Sequence, residues 1–286
     1  MPSLPTSRRG FLYSAAAAGA LALAGDSILI EPNLPRVVRK DFSLARWPRQ
    51  LDGFTIALIS DFHYDPLFSL HPLHAAVPIV NDLRPDLIAM TGDFVSVPIF
   101  GDDRNAALDA DPCADLLRQM NAPMGSWAVL GNHDCIVDPA YVTDALESRN
   151  IPVLANRSMA IERNGARFWL AGIDDVLAGS GDLKPAVRNI PSGEPTILLA
   201  HELDFADQAS KFPIDLQLSG HSHGGQVRLP FLPPMYLPDL AKKYVLGTYQ
   251  IGPLALYTNA GLGTVGVPVR LNCPPEITLL TLRRSA

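Results

Sequence analysis

The chain has only three cysteines in 286 residues, and they stand far apart at Cys113, Cys135 and Cys273. No Cys-x-x-Cys pair occurs, so the sequence predicts neither a zinc knuckle nor a framework of disulfides. We interpret the three as small buried hydrophobic side chains, with a single disulfide as the alternative.

Basic residues are also scarce. There are 23 Lys and Arg against 29 Asp and Glu, and the formal net charge is −6 at pH 7. No dense Lys/Arg cluster interrupts this acidic background, which excludes the electrostatic surface of a nucleic-acid-binding protein. Hydrophobic residues make up 48% of the chain, which is enough for an ample core. The composition shows no sign of disorder.

The first 24 residues have the three-part pattern of an export signal. Arg8 and Arg9 lie in an N-terminal part without acidic residues, and residues 11–24 are uncharged and end in Ala-Leu-Ala, a small-residue cleavage site. Ser-Arg-Arg-Gly-Phe-Leu at 7–12 resembles a twin-arginine signal. We therefore expect the export machinery as a partner and a location in the periplasm or cell envelope. A Sec signal and an uncut membrane anchor are the alternatives, although 14 uncharged residues fall short of the ~20 that span a bilayer.

Short apolar runs of strand length alternate with helical segments over the rest of the chain, which favours an α/β sheet structure. The predicted strands are 36–44, 54–60, 86–91, 127–130, 159–163, 166–172, 196–200, 216–219, 244–251, 254–259 and 276–282. The predicted helices are 73–83, 113–120 and 139–149, and residues 95–111 are predicted to form a loop. Helices occur in only some crossovers, so we expect two packed sheets flanked by helices. No repeat or linker divides the chain, so residues 25–286 are predicted to form one domain.

Seven possible metal ligands follow these strands. In α/β sheets the functional residues lie beyond the carboxyl ends of the strands. They are Asp61, His63, Asp93, Asn132, His201, His221 and His223. Imidazoles together with carboxylates suit zinc, manganese or iron better than magnesium or calcium. We expect two divalent ions, bridged by Asp93, because that carboxylate lies between the two ligand groups in sequence and has two oxygens.

Two ions roughly 3.5–4 Å apart share a hydroxide and lower its pKa, so that a nucleophile exists at neutral pH. They also clamp the oxygens of a phosphoryl group. His133, next to Asn132, is then free to donate a proton to the leaving oxygen or to stabilise charge on the transferring group. Asp134 is expected to orient that imidazole or to stabilise its charge.

Five sequence blocks resemble the calcineurin-like metallophosphoesterase family. In order they are Asp-x-His at 61–63, Gly-Asp at 92–93, Gly-Asn-His-Asp at 131–134, a lone His at 201 and Gly-His-x-His at 220–223. The resemblance implies a double β-sandwich flanked by helices, a four-layer α/β/β/α fold. It also implies the following sites: one metal on Asp61, His63, Asp93 and His223; a second on Asp93, Asn132, His201 and His221; and His133 as the catalytic histidine.

Residues 259–278 extend the likeness to a bacterial branch whose members often carry export signals. Some relatives in that branch cleave phosphodiesters, and one lineage cleaves the pyrophosphate of a nucleotide-linked lipid precursor. The predicted function is therefore a dimetal hydrolase of phosphate esters, first of all a phosphodiesterase. The alternatives are a pyrophosphatase or phospholipase-like hydrolase of a lipid-linked phosphate, and a metal-dependent envelope binding protein with vestigial activity.

Residues 231–236, from Phe231 to Tyr236, are unusually apolar for a proline-rich loop. They either pack on the core or form an apolar lip that accepts a lipid chain or contacts a membrane surface. Of the remaining polar residues, Arg228 is a possible phosphate contact, Asp65 is interpreted as a turn residue, and His71 and His74 as structural.

Overall fold

The computed structural model describes residues 7–98 and 102–285. Residues 1–6 of the predicted export signal and residues 99–101 of the predicted loop lie outside the described residues.

Eleven strands in the described residues form two sheets. In chain order, β1 to β11 are Arg36–Leu44, Phe54–Ile59, Leu87–Thr91, Ser126–Val129, Arg157–Arg163, Ala166–Gly172, Thr196–Leu199, Leu216–Ser219, Gly247–Ile251, Leu254–Thr258 and Glu276–Arg284. The first sheet has the order β1-β11-β2-β3-β4 and the second β5-β6-β7-β8-β10-β9. Strands β2, β3 and β4 are parallel, as are β6, β7, β8 and β10.

Eight α-helices accompany these strands in the described parts of the chain. In order, α1 to α8 are Arg8–Gly25, Leu70–Leu83, Asp103–Ala107, Ala110–Leu117, Asn132–Val137, Pro139–Glu147, Leu183–Val187 and Ala206–Ala209. A π-helical segment, Asp26–Ile30, and a 3-10 turn, Glu31–Asn33, continue directly from α1. Further 3-10 turns are Arg49–Leu51, Leu203–Phe205 and His223–Gly225.

The side chains of β2 show how the layers are built. Ile56 and Leu58 point to one face and belong to a buried cluster shared by both sheets. Ala57 and Ile59 point to the other face and pack with the helices α2, α4 and α6. A third cluster lies between the second sheet and the helices α7 and α8. Because the central strands β3, β7, β8 and β10 are buried on both faces, the order of layers is helix, sheet, sheet, helix, and the prediction of two packed sheets flanked by helices is confirmed.

The structure differs from the sequence prediction chiefly in its short helices. The helix α3 and the start of α4 lie within the predicted loop 95–111, and α5 begins at Asn132, where no helix was predicted. These segments are only five to eight residues long. An isolated helix of that length is unstable in water, so packing rather than local propensity decides it.

The N-terminal helix α1 has no buried residue. Together with the segment that follows, it gives a helical run, Arg8–Asn33, that is long and apolar enough to cross a membrane by length and composition alone. The run is longer than the uncharged stretch 11–24 because the helical backbone continues through Asp26.

Candidate metal centre

The seven predicted ligands come together at one edge of the two sheets. Each follows β2, β3, β4, β7 or β8 within four residues of the end of that strand. These strands run parallel within each sheet, so their carboxyl ends lie side by side. Six of the seven side chains are buried almost completely, and Asn132 is half-buried.

The possible ligand atoms form two groups that share Asp93. In the first group, atoms of Asp61, His63, Asp93 and His223 lie within 4.8 Å of one another, and in the second so do those of Asp93, His201 and His221. The Oδ2 atom of Asp93 is 3.4 Å from His63 Nε2 and 3.2 Å from His201 Nε2. One carboxylate therefore reaches both groups, which is the arrangement that a bridging ligand requires.

Hydrogen bonds on the outer side of the imidazoles decide which nitrogen faces the centre. His201 Nδ1 lies 2.6 Å from the carbonyl oxygen of Thr91, and His221 Nε2 lies 2.8 Å from that of Asp239. A carbonyl only accepts, so each of these nitrogens carries the proton. When the rings are neutral, the opposite nitrogens, His201 Nε2 and His221 Nδ1, carry the lone pairs, and they lie 3.2 Å apart. Outer partners of this kind orient histidine ligands in metal sites.

Five of the seven residues have a left-handed backbone. The φ angles are 50° at Asp61, 42° at His63, 56° at Asp93, 69° at His221 and 51° at His223. This region is unfavourable for residues with a Cβ, and such strain clusters at functional sites. The loops after β2, β3 and β8 thus hold their side chains in an otherwise disfavoured direction.

Two buried polar atoms of the site have no hydrogen-bond partner among the described residues. They are Asn132 Oδ1 and His223 Nδ1. Unpaired buried polar atoms are rare and require an explanation. For Asn132, a cation beside the Asp93–His201–His221 group supplies one, because an amide oxygen is a suitable ligand. The donor set therefore fits two divalent ions.

Burial and neighbouring charges set the protonation of these groups. Burial lowers the pKa of His63 to about 3 and that of His221 to about 4, so both imidazoles are neutral and can bind a metal. Burial acts to raise the pKa of Asp93, but His201 and His133 outweigh it and hold the pKa well below its usual value. Burial acts to lower the pKa of His201, but Asp93 and Asp61 raise it well above its usual value. A bound cation would take the place of that proton.

His133 lies beside both groups with its ring at the cavity. Its backbone N–H donates to Asp93 Oδ1 at 2.9 Å, and its Nδ1 accepts from the backbone N–H of Val97 at 2.8 Å. Because Nδ1 accepts, the proton of the neutral ring is on Nε2. The ring packs edge-on against His63, with 4.6 Å between the centroids.

The hydrogen bonds of Asp134 differ from the expectation that its carboxylate orients the imidazole of His133. Its carboxylate accepts from four backbone N–H groups, those of Asp93, Phe94, Val95 and Gly131, at 2.8–3.1 Å. The imidazole of His133 is held by Val97 instead. Asp134 therefore ties the loop after β3 to the loop after β4 and does not orient the imidazole through a hydrogen bond. Burial and the nearby Asp93 raise its pKa to about 7.

Several supporting residues were not singled out from the sequence. Ser60 Oγ donates to Asp61 Oδ2 at 2.5 Å, and Ser96 Oγ lies 3.0 Å from His63 Nδ1. Arg270 is fully buried and donates to backbone carbonyls in the loop behind Asp61. The serines adjoin the ligand blocks, which is a weak signal. Arg270 gave none, because a buried arginine cannot be told from a solvated one in a single sequence.

The other polar candidates are placed away from the ligand groups. Asp65 Oδ1 accepts from the backbone N–H groups of Leu67 and Phe68, as a turn residue does. His71 and His74 are exposed on α2. Arg228 Nη1 donates to the carbonyl of Gly224 at 3.3 Å. The three cysteines are free.

A cavity of about 500 Å³ opens over the ligands. One side carries His133 and the ligands Asp93, Asn132, His221 and His223. The other side is apolar and is lined by residues of the 231–236 segment and of the loop after β10, namely Met235, Tyr236, Val265 and Val267. Phe231 and Leu232 of the same segment are exposed to solvent rather than packed on the core.

Comparison with known proteins gives concordant results. The family model of the calcineurin-like phosphoesterases matches residues 54–225. The chain is 34% identical over 285 residues to the uncharacterized metallophosphoesterase YkuE of Bacillus subtilis, covering 97% of this chain and 98% of that protein. It is 31% identical over 280 residues to the phosphodiesterase YaeI of Escherichia coli, covering 96% and 99%.

A more distant relative is the UDP-2,3-diacylglucosamine pyrophosphatase LpxG of Chlamydia muridarum, with 26% identity over 309 residues and coverage of 88% of this chain and 90% of that protein. The family model covers more than half of the chain, and two relatives above 30% identity are matched along almost their whole length. The chain therefore belongs to the calcineurin-like phosphoesterases, a family of metal-dependent hydrolases of phosphate esters.

Proposed function

We propose that this chain is a phosphodiesterase that uses two divalent metal ions, either zinc, manganese or iron. Asp61, His63 and His223 would hold the first ion, Asn132, His201 and His221 the second, and Asp93 both. The observation that carries the proposal is the position of Asp93 Oδ2, 3.2–3.4 Å from a histidine of each group, with His133 directly beside it.

Such ions supply Lewis acidity and lower the pKa of a water molecule, so that a nucleophile is present at neutral pH. The chain's own contribution is made by His133. Because Val97 donates to Nδ1, the ring presents an Nε2–H group to the cavity, and this group can donate a hydrogen bond to the leaving oxygen and stabilise its developing charge. Asp134 supports this arrangement by fixing the loops on which Asp93 and His133 stand.

The charge of the cavity favours diesters over monoesters. Its lining, within the described residues, contains no Lys or Arg. A phosphomonoester carries close to two negative charges at neutral pH, and sites that bind it commonly add an Arg or Lys. A diester carries one charge and a second organic group, which the apolar side of the cavity accommodates. The name of the Escherichia coli relative agrees with this choice.

Replacement of His133 tests the mechanism. In His133→Ala we expect kcat for an aryl phosphodiester to fall about 10²- to 10⁴-fold, which is the usual contribution of a positioned acid. Metal content should stay at two ions per chain, since the side chain is not a proposed ligand. Turnover and elemental analysis of the purified protein measure both.

The matched control is His74→Ala, which removes an exposed imidazole on α2. It should leave kcat and metal content unchanged. Full activity in His133→Ala would remove this residue from the mechanism. Absence of metal-dependent turnover in the unaltered protein would favour the alternative of an envelope binding protein with vestigial activity.

Hydrolysis of a lipid-linked phosphate is a second candidate. It is favoured by the apolar side of the cavity around Met235 and Tyr236, and by the name of the Chlamydia relative. If a lipid chain lies there, Met235→Ala should raise KM for a lipid-linked pyrophosphate several-fold and leave a small aryl diester unaffected. Equal effects on both substrates would argue against it.

The N-terminal residues 1–24 are proposed to direct export, with Arg8 and Arg9 as the contact for the export machinery. Residues 25–286 would then act as a single domain in the periplasm or cell envelope. The absence of acidic residues before Asp26 supports this orientation, because positive charge is retained on the cytoplasmic side.

A further inference from the structure

The segment after α1 is docked on the domain next to the metal centre. Ser27 is buried, and its carbonyl accepts from the backbone N–H of Arg270 at 2.9 Å. The Glu31 carboxylate accepts from the backbone N–H groups of Asn272 and Cys273 at 3.0 and 2.5 Å. These bonds fix the end of the apolar helical run to the loop that precedes β11.

The same loop holds the apolar segment 231–236. Asn272 Nδ2 donates to the carbonyl of Arg228 at 2.8 Å, and the backbone N–H of Arg228 donates to Leu271. Asn272 thus contacts Glu31 on one side and Arg228, three residues before Phe231, on the other. The end of the helical run and the backbone that leads to the rim of the cavity are joined through one residue.

The rim is apolar and open to solvent. Phe231 is fully exposed, Leu232 is 60% exposed, and Met235 and Tyr236 are 72% and 71% exposed. Val267, across the cavity, is 57% exposed. Contiguous exposed apolar side chains around a cavity mark an interaction surface.

The helical run has the length of a membrane span. Residues 10–30 would extend about 31 Å as a helix, which matches a hydrocarbon core of ~30 Å. Leu29 and Ile30 are exposed immediately before the docked Glu31, so the apolar surface continues to the surface of the domain. Asp26, the one charge in this stretch, is partly buried beside Ser27.

From these contacts we infer that residues 8–30 are retained as a membrane anchor, and that residues 27–31 clamp the domain so that the rim around Phe231 lies on the bilayer. The occupant of the rim is the apolar part of the lipid layer. The cavity therefore opens at the membrane surface. The anchor and the rim define this orientation of the domain, which is the same for any ester that is hydrolysed.

The clamp contributes what a simple tether would not. A single apolar helix holds a domain near a membrane but leaves its rotation free. The three backbone N–H groups that bind Ser27 and Glu31 remove that freedom. Arg8 and Arg9 lie at the opposite end of the helix, which places the domain outside the cytoplasm by the positive-inside rule.

Fluorescence of the full-length chain in vesicles tests the inference without turnover. Phe231→Trp and Met159→Trp would each be reconstituted in phosphatidylcholine vesicles with and without bromine on the acyl chains. Met159 is the matched control, since it is an exposed apolar residue on the edge strand β5. We expect brominated chains to quench most of the emission added by Phe231→Trp and none of that added by Met159→Trp. Absence of quenching in the former, or equal quenching in both, would overturn the membrane-facing rim.

The clamp is tested by adding Glu31→Ala to Phe231→Trp. The protein should still float with the vesicles, because the anchor is unchanged, but the quenching should be lost. Far-ultraviolet circular dichroism verifies that the domain stays folded, and Glu31→Gln, which keeps an acceptor, should restore part of the quenching. Full quenching in Glu31→Ala would overturn the role of the clamp.

Retention of the anchor is tested by the intact mass of the exported protein. Recovery of the protein without residues 1–24 would overturn it. None of these measurements depends on catalysis. A result that overturns the anchor or the rim contact would therefore leave the proposed phosphodiesterase activity untouched.

Discussion

At the scale of single residues, Asp93 has the most connections in the site. Its Oδ2 lies near His63 and His201, its Oδ1 accepts from the backbone of His133, and its own N–H donates to Asp134. A Cβ on the neighbouring Gly131 would collide with the carboxylate, so the glycine of the Gly-Asn-His-Asp block is required for space. The position of both ligand groups therefore depends on one side chain.

Asp93→Ala is expected to lose both metal ions, because the substitution takes a ligand from each group. His221→Ala is the comparison variant, since it takes a ligand from the second group alone and should retain one ion. Metal per chain, measured by elemental analysis after gel filtration, separates the two. Retention of two ions in Asp93→Ala would refute the bridging role.

At the scale of elements, the loop between β10 and β11 is the support of the first ligand group. The Arg270 guanidinium donates to the carbonyls of Cys273, Ala260, Gly261 and Gly263 at 2.5–3.2 Å. The backbone of this loop in turn donates to the carbonyl of Asp61 at 2.7 Å. A buried guanidinium whose two Nη atoms donate to four carbonyl oxygens fixes the path of the loop, and with it the strained backbone of Asp61.

Arg270→Met should lower the free energy of unfolding by about 3 kcal/mol, because it leaves buried carbonyls without a donor. It should also weaken metal binding, since Asp61 loses its support. Urea unfolding in the presence of a chelator measures the first effect, and titration with zinc the second. Arg188→Met, at an exposed position after α7, should change stability by no more than about 0.5 kcal/mol. A similar small change in Arg270→Met would contradict the role of the loop.

At the scale of the whole molecule, the metal centre lies where the two sheets meet. The first sheet contributes Asp61, His63 and Asp93, and the second contributes His201 and His221. Ions shared by these residues would cross-link the sheets at the carboxyl ends of their strands. His63 Nε2 and His223 Nε2 lie 3.0 Å apart, and burial lowers the pKa of both imidazoles, so both are neutral and can bind one cation. The centre is therefore expected to stabilise the sandwich as well as to act on the substrate.

Removal of metal should consequently lower Tm. Ligand linkage gives about 2.7 kcal/mol at a free metal concentration 100 times Kd, which corresponds to about 5 °C or more for a chain of this size. Differential scanning calorimetry with and without EDTA measures the shift. Asp93→Ala, which lacks both ions by our expectation, should show no shift, and an equal shift in that variant would place the metal elsewhere.

The sequence by itself determined the strands and predicted the seven ligands. Apolar runs such as 54–60 and 196–200 are long enough to be recognised, and all seven predicted ligands stand within four residues of the end of a strand. The order of the five blocks also determined the family. These features are local, because a strand of buried residues and a ligand block are each complete within ten residues of chain.

The tertiary structure alone decided how these pieces act on one another. It decided that Asp134 ties two loops rather than orienting His133, that Val97 fixes the His133 tautomer, and that Arg270 is buried. It also decided that Glu31 is bound to the loop at Asn272, 241 residues further along the chain. The physical reason is that each of these contacts joins a side chain to a backbone group of a distant segment, and a backbone N–H or carbonyl has no sequence signature.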